Sequence, residues 1–242
     1  MLGTQTLHGV DRFGEWFTTG VEGWAEPPAP KGNEVEREQA DGDYFLPSFY
    51  SARTPTIDGT LLGASHALAL DAMVALNSAA ALGGVTLSVM EGGVTRWALA
   101  RYAGLDYTWV THEKVRFQLR LKCPKPQKYG ERRTFDMTPS TPVQVIHRGN
   151  YKASPVVQIN GPLTGGVTIT HPSGQFVVLG DLGVGGWVRV DMATGRLKLN
   201  GNDRSDLIGA SARLHQITPG LPASQFSINR GVGYVEVLDT FI

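Results

Sequence analysis

The stretch "VRFQLRLKCPKPQKYGERR", residues 115–133, alternates with a period of two through its first half. Val115, Phe117, Leu119 and Leu121 fall on one side of an extended chain, and Arg116, Gln118, Arg120 and Lys122 fall on the other. Such a strand has one buried and one solvated face, which is the habit of an antiparallel sheet. Pro124 and Pro126 then end the ladder, because proline lacks a backbone donor. Cys123 closes the strand with no histidine at a useful spacing, so it reads as a strand-end thiol and not as a nucleophile.

Around this strand, 30 glycines and 14 prolines punctuate short alternating runs, the pattern of a mainly β chain. A length of 242 residues with 41% hydrophobic content is enough for a sizeable core in one large or two ordinary domains. The first half contains one helical segment, "SHALALDAMVALNSAAAL", residues 65–82, with Ser65 placed as N-cap and Gly83 and Gly84 beyond its end. Its polar positions beyond the cap are His66, Asp71, Asn77 and Ser78, so the apolar surface exceeds what one small sheet covers, and either core burial or a second subunit must cover the rest. Alanine content and Asp71 argue against a membrane span. After the helix, residues 85–93 and 95–104 read as strands joined at Gly92 and Gly93.

Pro139, Pro142 and the turn at Gly149 and Asn150 read as a connector, giving domains 1–148 and 149–242. The second contains seven short strands, at 156–161, 167–171, 175–180, 187–191, 196–201, 226–230 and 234–239, spaced as in a β-sandwich. Within "VRVDMATGRLKLNG", residues 188–201, Gly195 suits a positive-φ turn, and Val188, Val190, Leu197 and Leu199 share a buried face.

Lys plus Arg, 22, balance Asp plus Glu, 22, which weighs against a nucleic-acid-binding protein. Locally the balance breaks. Residues 11–43 carry nine acids against Arg12, Lys31 and Arg37, and residues 114–133 carry eight bases against Glu131. These are either two solvated surfaces or two faces that meet, within a subunit or between copies. One cysteine forms no intrachain disulfide, and the N-terminal residues lack the pattern of a secretion signal, so folding in a cytoplasm is expected.

Catalytic signals are absent from the sequence. "HEKVR" at His112 lacks the second histidine of a helical zinc pair, "GASHA" around Ser65 lacks the last glycine of a nucleophile elbow, and "GVGGW", residues 183–187, lacks phosphate-loop spacing. Asp203 and Asp206 read as solvated loop aspartates, not a catalytic pair. No catalytic, cofactor-binding or metal-binding residue is assigned, and no enzyme is expected.

The order of parts resembles the distal tail protein (Dit) family of long-tailed (siphovirus) bacteriophages. The likeness rests on "VEGWAEPP" (21–28), on "DGDYFLPSFYSARTPTIDGTLLGAS" (41–65) ahead of the helix, and on "LKCPKPQKYG" (121–130), similar to the family's x-P-x-x-Y domain ending. In the second half it rests on "GNYKASPVVQINGP" (149–162), "VRVDMATGRLKLNG" and "TPG" (218–220). The resemblance implies an N-terminal ring-forming β domain with one helix, then a galectin-like β-sandwich. It implies a baseplate component in the virion at the distal end of the tail, synthesised in the bacterial host cytoplasm. Its implied partners are its own copies in a ring, commonly a hexamer, the tail tube protein, the baseplate hub or tail-associated protein, the tape-measure protein and receptor-binding proteins. DNA would pass through without specific binding, and no membrane is involved. The alternative is a carbohydrate-binding module for host-surface adhesion. Trp187 is its obvious aromatic platform, but it opens a strand with buried companions and reads as core, and the galectin sugar-binding residues are not reproduced.

Overall fold

A computed structural model describes the chain except for residues 33–34, 40, 42–43, 45–48, 82, 140 and 221–222, and the side chains at 80–81. Glu34, Asp43 and Leu82, used in the sequence reading, therefore lie outside the described residues. The fold is mainly β, and two compact units divide it: Met1–Lys128, with Ile242, and Tyr129–Phe241.

The first unit holds β1 (Gly9–Asp11), β2 (Gly14–Glu22), β3 (Pro30–Lys31), β4 (Phe49–Tyr50), β5 (Thr56–Gly63), α1 (His66–Ala81), β6 (Val85–Glu91), β7 (Val94–Trp109) and β8 (Lys114–Lys122). Its sheet runs β1-β2-β5-β8-β7, with β6 on the first half of β7 and the small pair β3-β4 apart. The alternation expected of β8 is the one observed. Val115, Phe117, Leu119 and Leu121 are buried, whereas Lys114, Arg116, Arg120 and Lys122 face outward. The buried row meets Trp16, Ile57 and Leu61, and the Trp16 and Phe117 rings pack edge to face at 5.5 Å.

The helix begins where its cap predicts, with the Leu68 amide donating to Ser65 Oγ at 3.3 Å. Ala69, Ala72, Met73 and Leu76 pack inward against the sheet. A Cβ on Gly63 would stand 2.6 Å from that of Ala69, so glycine here is what lets α1 lie close on β5. The opposite face keeps Leu70 and Val74 exposed, at 43% and 58%, so the unit's own sheet covers only half of this helix.

The second unit holds β9 (Lys128–Met137), β10 (Val143–Val145), β11 (Val156–Asn160), β12 (Val167–His171), β13 (Gly174–Val178), β14 (Trp187–Asp191), β15 (Arg196–Leu199), β16 (Asn202–Asp203), a 3-10 turn (Ser205–Leu207), β17 (Ser224–Ile228) and β18 (Val232–Phe241). The seven strands expected after residue 149 are all present. Two sheets, β9-β18-β11-β14-β15-β16 and β10-β17-β12-β13, enclose one core that includes Val157, Ile159, Phe176, Val190, Phe226 and Val235. The hairpin register pairs Val188 with Leu199 and Val190 with Leu197, and Gly195 takes φ +72°. The units divide about twenty residues ahead of the expected 148/149 boundary. The reason is strand pairing: β9 neighbours β18, and β10 pairs with β17. Residues 129–137 and 143–145 are thus sheet of the second unit and not a connector.

Because Phe117 is the largest side chain of the buried β8 row, Phe117→Ala should cost about 3–5 kcal/mol in urea denaturation. Arg116→Ala, one residue away on the exposed face, should cost no more than about 0.5 kcal/mol.

Candidate assembly and ligand surfaces

On the first unit, register sorts the charged residues. Across the outer face, Glu15 aligns with Leu62 and Lys114, and Glu22 aligns with Thr56 and Arg120. The acidic strand β2 and the basic strand β8 thus lie on one face with only β5 between them, about 10 Å apart. Arg120 pairs with Asp106 at 2.6 Å, while Lys114, Arg116 and Lys122 have no carboxylate partner among the described residues. The remaining bases of 114–133 do not join this stripe. Lys125 is an exposed loop residue, Lys128 is buried, and in the second unit Arg132 pairs with Glu236 at 3.6 Å and Arg133 with Asp239 at 3.2 Å.

Lys128 belongs to a node that the sequence reading missed. Arg53, 2% exposed, donates from Nη1 to the carbonyls of Trp24 at 2.7 Å, Gly23 at 3.1 Å and Glu26, and from Nε to the Pro126 carbonyl at 3.3 Å. Lys128 Nζ donates to the same Trp24 carbonyl at 2.9 Å and sits 5.6 Å from the centre of the Trp24 ring. Backbone bonds between Arg53 and Cys123 in both directions tie the node to the end of β8. Segments 21–28, 41–65 and 121–130, which carry the family resemblance in this half, therefore meet at two buried cations. Burial, reinforced by the charge of Arg53, pulls the Lys128 ammonium down to about 8. Burial also pushes the Cys123 thiol up to about 11, which leaves it protonated and inert near neutrality.

The first unit also contains an open groove of about 540 Å³, lined mainly by apolar side chains including Leu7, Val21, Ile57, Leu87 and Val89. His8 is the one titratable side chain among the described residues that line it, and Met1 lies on the same walls.

In the second unit, Ser173 Oγ lies 2.7 Å from His171 Nδ1 and 3.0 Å from His215 Nδ1. The Ser173 amide donates to His171 Nδ1, so that nitrogen is an acceptor. The Ser173 hydroxyl then donates to His171 and accepts from His215. Among the described residues no carboxylate hydrogen-bonds to either ring, and Phe226 packs against both. Burial, with the neighbouring His171 adding to it, holds His215 down at about 4, and burial also lowers His171. This is a polar cluster inside a core and not an activated serine. Asp203 accepts from Ser205, and Asp206 pairs with Arg204 at 2.9 Å, so both aspartates serve their own turn. Among the described residues no group of three His, Cys, Asp or Glu side chains is placed to hold a metal.

Trp187 corrects the sequence reading. Strand parity turns Val188 and Val190 into the core and Trp187 and Arg189 to the opposite, outer face. There Trp187 is cross-strand partner to Asn160, which is also opposite Val232; in the next row Tyr234, Gln158 and Arg189 align. The Arg189 guanidinium donates to Gln158 Oε1 at 3.3 Å, Tyr234 Oη at 3.2 Å and Glu236 Oε1 at 3.2 Å. The signal was present in the sequence, because a period of two separates Trp187 from its buried neighbours.

No protein-family model matches the sequence, and no curated protein matches it. Among solved structures, the chain is similar to the SPP1 Dit (gp 19.1) protein, described as a paradigm of the hub adsorption apparatus in phages infecting Gram-positive bacteria. The two share 16% identity, with 93% of this chain and 94% of that one covered and a TM-score of 0.75. It is also similar to chains of the phage P2 baseplate in its activated conformation, with Ca at 7% identity, 93% and 90% coverage and TM-score 0.56, and with Sr at 8%, 88% and 89%, and 0.53. The chain has the fold of a phage Dit or baseplate component.

Two outcomes follow from these geometries. Arg53→Met should cost about 2–4 kcal/mol and raise amide exchange at residues 23–26, because several buried carbonyls lose their donor together. Acid should destabilise the second unit. The folded-state pKa of His215 lies below its ordinary 6.5, so the unfolded chain takes up the proton first. The stabilisation is complete above pH 6.5 and falls by about 1.4 kcal/mol per pH unit down to about 4. Urea midpoints across that window should show the loss, and His215→Leu should reduce it, leaving the share of His171.

Proposed function

We propose that this chain is a structural ring component of a phage tail tip, joining the tail tube to the baseplate hub and the receptor-binding apparatus. The observation that carries this reading is the likeness to SPP1 Dit over 93% of the chain, which spans both units in one order. Its role is mechanical and not catalytic. Six copies of the chain associate in a ring around a channel through which DNA and the tape-measure protein pass.

Two features of the first unit support self-association. The outer half of α1 leaves Leu70 and Val74 without cover from their own sheet. Acidic and basic strands on one sheet face supply opposite potentials, which orient a head-to-tail contact more than they strengthen it. A channel for DNA must also let DNA slide. A basic lining would hold phosphate through counterion release, so Lys114, Arg116 and Lys122, which have no carboxylate partner among the described residues, are expected to face neighbouring protein or the outer surface and not the channel.

Native mass measurement should give one closed species near six times the 26.1 kDa chain. A strict monomer at every concentration would remove the support drawn from α1. Mobility-shift titration with duplex DNA should show no binding that weakens steeply with salt, and a tight, salt-sensitive shift would overturn the placement of the basic stripe.

A further inference from the structure

Between the 3-10 turn and β17 the chain runs as a strap, residues 207–217, along the outer edge of β13, the last strand of the β10-β17-β12-β13 sheet. The Leu179 amide donates to the Leu207 carbonyl at 2.7 Å, and the Gly209 and Arg213 amides donate to the carbonyls of Val177 and Gln175 at 2.9 and 2.8 Å. At its far end Ile217 exchanges both backbone bonds with Ala153. Between Gly209 and Ile217 the one fully buried side chain is that of His215; Ala212 is half-buried and the others are exposed. A sheet edge is thus covered by a segment that holds on through a few backbone bonds and one imidazole.

That imidazole is fixed by hydrogen-bond roles that a proton reverses. His171 Nδ1 accepts from the Ser173 amide at 3.2 Å and from the Ser173 hydroxyl, so its own proton sits on Nε2 and acid can add a second only at Nδ1. The hydroxyl can turn to accept instead. The amide cannot, and two N–H groups are then aimed at each other. The charge also lacks a counterion. β12, β13 and β17 carry no charged residue besides His171, the strap adds Arg213 to His215, and His147, which meets the Ile217 backbone at the end of the strap, has Asp239 on its own side. A proton on either ring therefore stands in a core beside a second imidazole 4.9 Å away, with no carboxylate on these elements. Burial lowers both histidines and, with His171 adding to it, takes His215 down to about 4.

Charging the pair requires water to reach it, and the strap is the element that gives way. His171 ends β12, a strand bonded to β13 on one side and β17 on the other, whereas the strap is bonded along one side only. We propose that Ser173, His171 and His215 form an acid-released latch, and that protonation of the histidine pair lifts residues 207–217 off β13 while the rest of the second unit stays folded. Release uncovers the edge of β13, leaving the Gln175 and Val177 carbonyls and the adjoining Leu179 amide open to an extended chain.

The test is native-state hydrogen exchange on the full chain, followed by nuclear magnetic resonance at about pH 7 and about pH 4 in low urea, with rates referred to those of unstructured peptide. In acid the Gly209 and Arg213 amides should lose about tenfold or more of their protection with little dependence on urea, while amides of β11 and β14 stay better protected and keep a steep urea dependence. His215→Leu, which keeps an apolar anchor, should shrink that loss. Adding His171→Asn should abolish it, because asparagine offers the Ser173 amide an acceptor that takes no proton. Ser173→Ala, at an exposed residue, should lower strap protection by about tenfold already near pH 7, and it tests the latch even where the double variant does not fold. Thermal unfolding checks that each variant is folded. Strap amides unprotected at neutral pH, protection unchanged in acid, or the same urea dependence for strap and β11 amides would each overturn the proposal, the last by making the acid effect global.

Discussion

The first unit depends on a constraint set by β8. This strand is the middle one of three, hydrogen-bonded to β5 on one side and β7 on the other, so every side chain on it belongs to a row that crosses the sheet. Shifting it by one residue would bury Arg116 and Arg120 and expose Phe117 and Leu119. The penalty for burying unpaired guanidiniums makes that slip prohibitive, and the register of both neighbours follows. The core under α1 and the charged outer face are two sides of one alignment.

A second constraint acts where the ladder stops. Beyond Lys122 the prolines prevent further pairing, and the chain must be held by something other than strand bonds. Arg53 and Lys128 supply this through carbonyls. Buried cations held by carbonyls cost desolvation energy, and the displaced pKa of Lys128 records part of that cost. What they gain is geometry: one guanidinium reaches carbonyls from two separate segments, which a hydrophobic side chain of similar size cannot orient.

Much of this was legible in the sequence, and the exceptions have physical causes. Alternation located β8 and the seven strands after residue 149, because half-buried strands must alternate. The N-cap of α1 was legible because Ser65 acts on its own neighbours. Arg53 was not, since its partners lie about thirty and seventy residues away and nothing in "SARTP" encodes them. Lys128 was absorbed into a run of bases, where composition hides which member faces inward. The start of the second unit was read too late for a related reason: the charged residues of β9, such as Glu131, Arg132 and Arg133, mask its strand character. Trp187 differs from these. Its outward direction follows from parity alone, because it shares the phase of Arg189 and not that of Val188 and Val190.

Cys123 is the only thiol in the chain, fully buried and bonded through its backbone to Arg53. Its inertness makes the folded surface chemically blank toward maleimides. A single cysteine introduced at any exposed position would therefore carry a fluorophore or spin label without competition, and Cys123 itself would react only when the end of β8 comes apart. The molecule thus contains its own reporter for opening at the point where its three motif segments are joined.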